Sequence, residues 1–297
     1  MSTTSAATPS RPPRAAAYLA LTKPDVSFLV LITAAAGYYL GAHGPVDWLR
    51  MGLAVAGTGL VAAGTAALNH YLERDSDAQM RRTASRPLPS GALLPREALW
   101  FGCALLLGGY LDLYFGAGGL SSALGIAASL GYLLAYTPLK RRTVWATVIG
   151  ALPGAAPPMM GWAAARGSLD REAWLLFAIL FLWQFPHFDA IAWMYRRDYA
   201  RAGIRMLPVV DGEGNWTFRR IVLIGAVLIP VSLLPAALGF EGMRYFFGAL
   251  LASALLFRVC VWAATARTVV RAKWLMHATV AYIPLLFGLM MYDKLVR

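Results

Sequence analysis

The sequence predicts an all-α integral membrane protein built as a bundle of nine transmembrane helices. Three observations predict it. Hydrophobic residues make up 59% of the 297 and charged residues only 14%, with a mean hydropathy of +0.56; soluble domains carry about 25% charged residues. Nine apolar runs approach the roughly 20 residues that a helix needs to cross the hydrocarbon layer. Strand-like alternation is absent, which disfavours a membrane β-barrel.

The expected elements follow in chain order. The first 17 residues are polar, Pro-rich and free of acids, and they lack the apolar core of a secretory signal. They are expected to form a disordered tail, with an organellar transit peptide as the sharper alternative. Residues 18–297 are expected to form one membrane domain. Its runs cover roughly 25–42, 51–72, 97–115, 118–137, 144–164, 172–192, 220–239, 244–264 and 274–292. Cys103 and Cys260 both lie inside such runs and are expected to pack rather than pair.

Charge sets the orientation. Alternate connections, beginning with the N-terminus, carry most of the basic residues: Lys23, Arg74 to Arg96, Lys140 to Arg142, Arg196 to Arg220 and Arg267 to Lys273. The other side holds only Arg50, Arg166, Arg171, Arg244, Lys294 and Arg297. The positive-inside rule places the N-terminus and the basic connections in the cytoplasm. The net charge of +12 is therefore topological, and it does not indicate a nucleic-acid partner. High Ala and an excess of Arg over Lys suggest a bacterial inner membrane, with the mitochondrial inner membrane as the alternative.

Polarity gathers in two of the cytoplasmic connections. The first follows the second run. Asn69, Glu73 and Asp77 are four residues apart, so they return to nearly one helix face. A carboxamide and two carboxylates offer only oxygen ligands, the kind that Mg²⁺ prefers while it bridges to phosphate. Arg81, Arg82 and Arg86 follow, and guanidinium groups suit phosphate oxygens. The competing reading is a solvated helix end whose acids simply pair with those arginines. His70 lies off the stripe and is expected at the interface.

The second connection begins inside the sixth run, where Pro186 is expected to break the helix. His187 and Asp189 follow among apolar residues, either as a functional site or as a pair satisfying each other at the kink. In "RRDYARAG", Asp198 can take a cation and Arg196 a phosphate. Trp183, Phe185, Phe188 and Trp193 crowd the same region; packing is the default, and stabilising a substrate cation is the sharper alternative. Polar groups at one face fit a reaction site better than a solute carrier, whose polar groups lie near mid-membrane.

Five segments taken in order carry a family resemblance: "NxxxExxxD" running into "MRRTASRPLPSG", then "YTPLKRRT", "GALPGAAPPMMGWAA", "WQFPHF" and "WMYRRDYARAGIRMLPVV". Together they resemble the UbiA superfamily of intramembrane prenyltransferases, and within it the branch that acts on heme b. The resemblance covers nearly the whole chain. It implies nine helices around a central cavity, with Mg²⁺ required. It also implies transfer of farnesyl from farnesyl diphosphate to the 2-vinyl group of heme b with addition of water, giving heme O for terminal oxidase biogenesis.

Residue by residue, the resemblance implies that Asn69, Glu73, Asp77 and Asp198 serve the metal and catalysis. Arg81, Arg82, Arg86, Lys140, Arg141 and Arg196 would serve the diphosphate. Trp183, His187, Asp189 and Tyr199 would line the heme and prenyl pocket. The implied partners are the bilayer and, downstream, a heme A synthase or terminal oxidase assembly factors. The chain departs from the superfamily in having Glu73 where Asp is usual and one aspartate, Asp198, where the second motif has two. Ala146 stands where the heme branch often has Asn. Two other functions remain open: prenylation of an aromatic quinone precursor, and heme or lipid carriage without chemistry.

Overall fold

A computed structural model describes residues 13–296 and is all-α. The tail expected over residues 1–17 lies outside the described residues as far as residue 12. From Arg14 to Leu21 the chain forms a short helix, α1. Its Ala17 and Leu21 are buried against Leu88, Leu93 and Ala98.

Among the described residues, eight helices are long and apolar enough to cross a membrane, and the chain is a multi-pass membrane protein. In order they are α2 (Pro24–Gly41), α3 (Trp48–Asp77), α4 (Pro95–Ala117), α5 (Gly119–Leu139), α8 (Arg171–Met194), α11 (Asn215–Ala237), α12 (Met243–Ala266) and α13 (Val269–Leu295). A helix satisfies its backbone internally, which hydrocarbon demands. Trp48, Trp100, Trp145, Trp174, Trp216 and Trp274 stand exposed near helix ends, as an interfacial belt would. Cys103 and Cys260 are unpaired; Cys260 is buried and Cys103 is exposed on the helix surface.

Two expectations need correction. The run 144–164 is not one helix but two, α6 (Ala146–Gly154) and α7 (Ala156–Arg166). Pro157 and Pro158 have no N–H to return to the preceding turn, so the ladder cannot continue through them. Gln184, buried on α8, donates from Nε2 to the Ala151 carbonyl at 2.9 Å, a second bond beside that from Ala155 N–H, and so braces the break from the neighbouring helix. Pro186, by contrast, breaks nothing: α8 runs continuously from Arg171 to Met194. Neighbouring helices commonly accommodate such a proline inside a membrane bundle.

The packing is closest where α7 crosses α2. A Cβ on Gly161 would lie 1.9 Å from the Ala34 carbonyl oxygen, and one on Gly37 would lie 2.0 Å from that of Pro158. Only glycine fits at either place, because the opposing atoms are backbone. One buried cluster joins α8 to α11, α12 and α13 through residues such as Ile179, Phe218, Leu256 and Ile283. A second joins α3, α4, α5 and α7 through Val61, Leu106, Leu133 and Met160.

Two features carry polar groups toward the basic end. At about 1.5 Å per residue, the 30 residues of α3 span roughly 45 Å, more than the ~30 Å of hydrocarbon. Its polar last turns, from Asn69 to Asp77, are the part that hydrocarbon would exclude. In α5 a π-helical turn, Gly131–Tyr136, interrupts the regular spacing just before Thr137; such turns recur at functional sites.

Candidate active site

The stripe on α3 forms as its spacing predicts, and it lies inside the protein. Asn69, Glu73 and Asp77 are all buried, Asp77 to 1% exposure. Each has a basic partner from another segment. Lys23, at the junction of α1 and α2, donates to Asn69 Oδ1 at 2.9 Å. Lys140, just beyond α5, makes an ion pair with Glu73. Arg86, in the connection after α3, bonds Asp77 Oδ2 at 2.7 Å. The Asn69 amide also reaches Thr137 Oγ1 at 3.4 Å, and Thr137 is held by its bond to the Tyr132 carbonyl across the π turn. The Thr83 hydroxyl donates to the Asp77 carbonyl at 2.8 Å and pins the turn that returns Arg86.

The competing sequence reading, acids paired with the arginines that follow, holds for one pair only. Arg86 meets Asp77, whereas Arg81 and Arg82 are exposed, and Arg82 lies over the Tyr195 ring at 4.8 Å. Arg141 bonds the Ser76 hydroxyl, one residue before Asp77. Arg196 stacks on Trp193 at 4.1 Å and donates to its carbonyl.

The second connection reaches the site through Tyr199 rather than Asp198. Asp198 pairs with Arg201 inside the short helix α9 (Arg196–Arg201), which the one-turn helix α10 (Leu207–Val210) follows. Among the described residues no three of His, Cys, Asp and Glu gather as a metal-binding group, so Asp198 does not join Glu73 and Asp77 here. Tyr199 packs with Met80, Ala202 and Ile204, tying the two connections together. Burial pushes its phenol above the ordinary range against the nearby cations Arg82 and Arg86.

Deeper in α8, the pair expected at the kink does not form. His187 Nδ1 lies 2.9 Å from Thr279 Oγ1 of α13, and Trp183 Nε1 donates to the Thr279 carbonyl at 2.6 Å. The two rings stack at 4.8 Å. Asp189 instead takes a two-pronged bond from Arg220 of α11, with Nε at 2.8 Å. Trp183 and Asp189 thus join α8 to its neighbours.

Sequence reasoning missed Lys23, Thr137 and the tyrosines of the π turn. Lys23 was visible only as the one cation in "LTKPD". It adopts a left-handed backbone, φ 48°, although it is not glycine. Burial lowers its ammonium to about 7; Arg86 adds to that and Glu73 opposes it. His70 was misplaced as well. It is 2% exposed, not interfacial.

The donor set fits a hard divalent cation. All the candidate ligands are oxygens, and Asp77 Oδ1 is buried without any hydrogen-bond partner. A cation there would satisfy that oxygen and free Lys23, Lys140 and Arg86 for an anion.

The model of the UbiA prenyltransferase family matches residues 30–290. A protoheme IX farnesyltransferase of Solibacter usitatus is 50% identical over 286 residues, covering 93% of this chain and 98% of that one. Among solved structures, a digeranylgeranylglyceryl phosphate synthase superposes with a TM-score of 0.78 at 17% identity, covering 96% of this chain and 99% of that one. A UbiA homologue from Archaeoglobus fulgidus bound to DMAPP and Mg²⁺ does so with a TM-score of 0.66 at 14% identity, covering 92% and 98%. These two likenesses concern the fold.

Proposed function

Because the chain belongs to the UbiA prenyltransferase family, we propose that it transfers the farnesyl group of farnesyl diphosphate to the 2-vinyl group of heme b, with addition of water. The observation that carries the reading is the buried row of Asn69, Glu73 and Asp77, each matched by a basic side chain from a different segment. Such a site binds a cation and an anion together. The 50% identity to a protoheme IX farnesyltransferase supports the acceptor.

Asn69, Glu73 and Asp77 would hold Mg²⁺; Asp198 would join them only by releasing Arg201. When bound, the metal neutralises the diphosphate as it departs. Lys23, Lys140 and Arg86 turn from the acids to the phosphate oxygens, where charge-assisted bonds are strong. Arg81, Arg82, Arg141 and Arg196 extend the basic surround. The C–O bond of farnesyl diphosphate breaks and its electron pair leaves with the diphosphate. The terminal vinyl carbon then bonds the allylic carbon. Water adds at the adjacent carbon, which bears the charge, and one proton is released. Tyr132, Tyr136 and Tyr199 lie close enough to Glu73 to feel its charge. Their ring faces would steady the allylic cation. His187 and Trp183 stand deeper, on the heme side, with Asp189 fixing α8 behind them.

The side rich in Lys and Arg is cytoplasmic, with the N-terminus on that side, in a bacterial inner membrane. Product would pass to a heme A synthase or to terminal oxidase assembly. The purified protein, given farnesyl diphosphate with either heme b or 4-hydroxybenzoate, is expected to prenylate only heme b. Prenylation of the benzoate instead would replace this reading with a quinone-precursor enzyme.

A further inference from the structure

His70 is buried to 2% exposure, and neither Nδ1 nor Nε2 has a hydrogen-bond partner. A buried polar group left unmatched is costly, so the native fold keeps one only where something else takes the bond. Position says what that is. Seven residues return a helix to within about 20° of its starting face, so His70 lies on the same side of α3 as Asp77. It is next in sequence to Asn69 and three residues from Glu73. Its charged neighbours are Lys23 and Arg86, the cations that bind Asn69 and Asp77. The ring therefore lies buried on the Asp77 side of α3, within the electrostatic reach of two cations and with no acceptor for its N–H. A neutral imidazole presents one N–H in either tautomer. No carboxylate orients the ring, as a general base would require, and imidazole is a poor ligand for Mg²⁺.

We infer that His70 is a further diphosphate-binding residue, donating its ring N–H to a phosphate oxygen held between Lys23 and Arg86. The inference rests on the diphosphate reading of the site given above. It adds a neutral, directional donor to a set of charged ones. It also accounts for a histidine beside the first ligand of the stripe.

The test uses full-length protein in lipid nanodiscs and inorganic pyrophosphate with Mg²⁺, titrated calorimetrically. A hydrogen bond to a charged group is worth enough that His70→Leu should weaken pyrophosphate binding roughly tenfold to a hundredfold. His70→Asn, which keeps an N–H donor, should recover most of the loss. Farnesol, which has no phosphate, should compete with farnesyl diphosphate equally well in both variants and in the unsubstituted chain. The KM for farnesyl diphosphate should rise more than kcat falls. Pyrophosphate binding within twofold of normal in His70→Leu overturns the inference, as does an equal weakening of farnesol. If His70→Leu does not fold, His70→Asn against His70→Ala makes the same comparison. Arg86→Gln separates the two claims. If it loses pyrophosphate binding while His70→Leu does not, His70 alone is misassigned. If the unsubstituted protein binds no pyrophosphate, the diphosphate reading fails with it.

Discussion

Replacing Asp77 by Asn changes one oxygen to an amide nitrogen at a site that is 1% exposed. Two losses follow, and they differ in size. The first is to folding. Arg86 loses a charged acceptor at 2.7 Å, and breaking a fully buried pair costs roughly 3–5 kcal/mol. Arg86 is 22% exposed at its side chain and can turn to water, and the amide oxygen still accepts. The folding cost should therefore fall to about 1–2 kcal/mol, near that of a single hydrogen bond to a charged group. The second loss is to catalysis. Asp77 Oδ1 is buried without a hydrogen-bond partner, and Asn offers one neutral oxygen where two charged ones stood. Removing one electrostatic contributor from an active site typically costs about 10²–10³ in kcat. Asp77→Asn should thus remain folded in detergent, with a modest drop in melting temperature, and lose at least a hundredfold in Mg²⁺-dependent turnover. Turnover within threefold of normal at equal Mg²⁺ would refute the assignment of this oxygen to the metal.

Other outcomes follow from the same geometry. Gly161→Val places side-chain atoms on the Ala34 backbone, and overpacking of this kind costs about 1–3 kcal/mol, or more when the obstacle is rigid; thermal unfolding in detergent should show the loss. Gln184→Leu removes the second of two bonds to the Ala151 carbonyl at the α6–α7 break, leaving only that from Ala155 N–H, and should destabilise by about 1 kcal/mol in the same assay. Asp189→Leu strands Arg220 and should be markedly destabilising, while adding Arg220→Met should restore most of that loss, because the uncompensated charge is then gone. A divalent chelator should abolish farnesyl transfer, and added Mg²⁺ should restore it.

Much of the bundle is legible in the sequence because hydrocarbon imposes one rule, long apolar runs folded as helices. The stripe is legible for the same reason: four-residue spacing on a helix is local geometry. What escapes is non-local. Two prolines hint that the run 144–164 breaks, but the break is stabilised by Gln184, from a helix that follows. Asp189 could not be assigned because its partner, Arg220, is 31 residues away. Lys23 lies 46 residues before the Asn69 it meets. His70 was read as off the stripe from four-residue spacing alone; the seven-residue return that aligns it with Asp77 was the signal available. Pro186 misled because a proline's effect on a helix depends on what its neighbours can satisfy.

The most direct test of the central claim is the mass of the heme recovered after incubating the purified protein with heme b, farnesyl diphosphate and Mg²⁺. The recovered heme should be heavier by one farnesyl group and one hydroxyl, formed with release of one pyrophosphate and absent with Asp77→Asn. Unaltered heme b from protein shown to be folded and loaded with both substrates would contradict that claim.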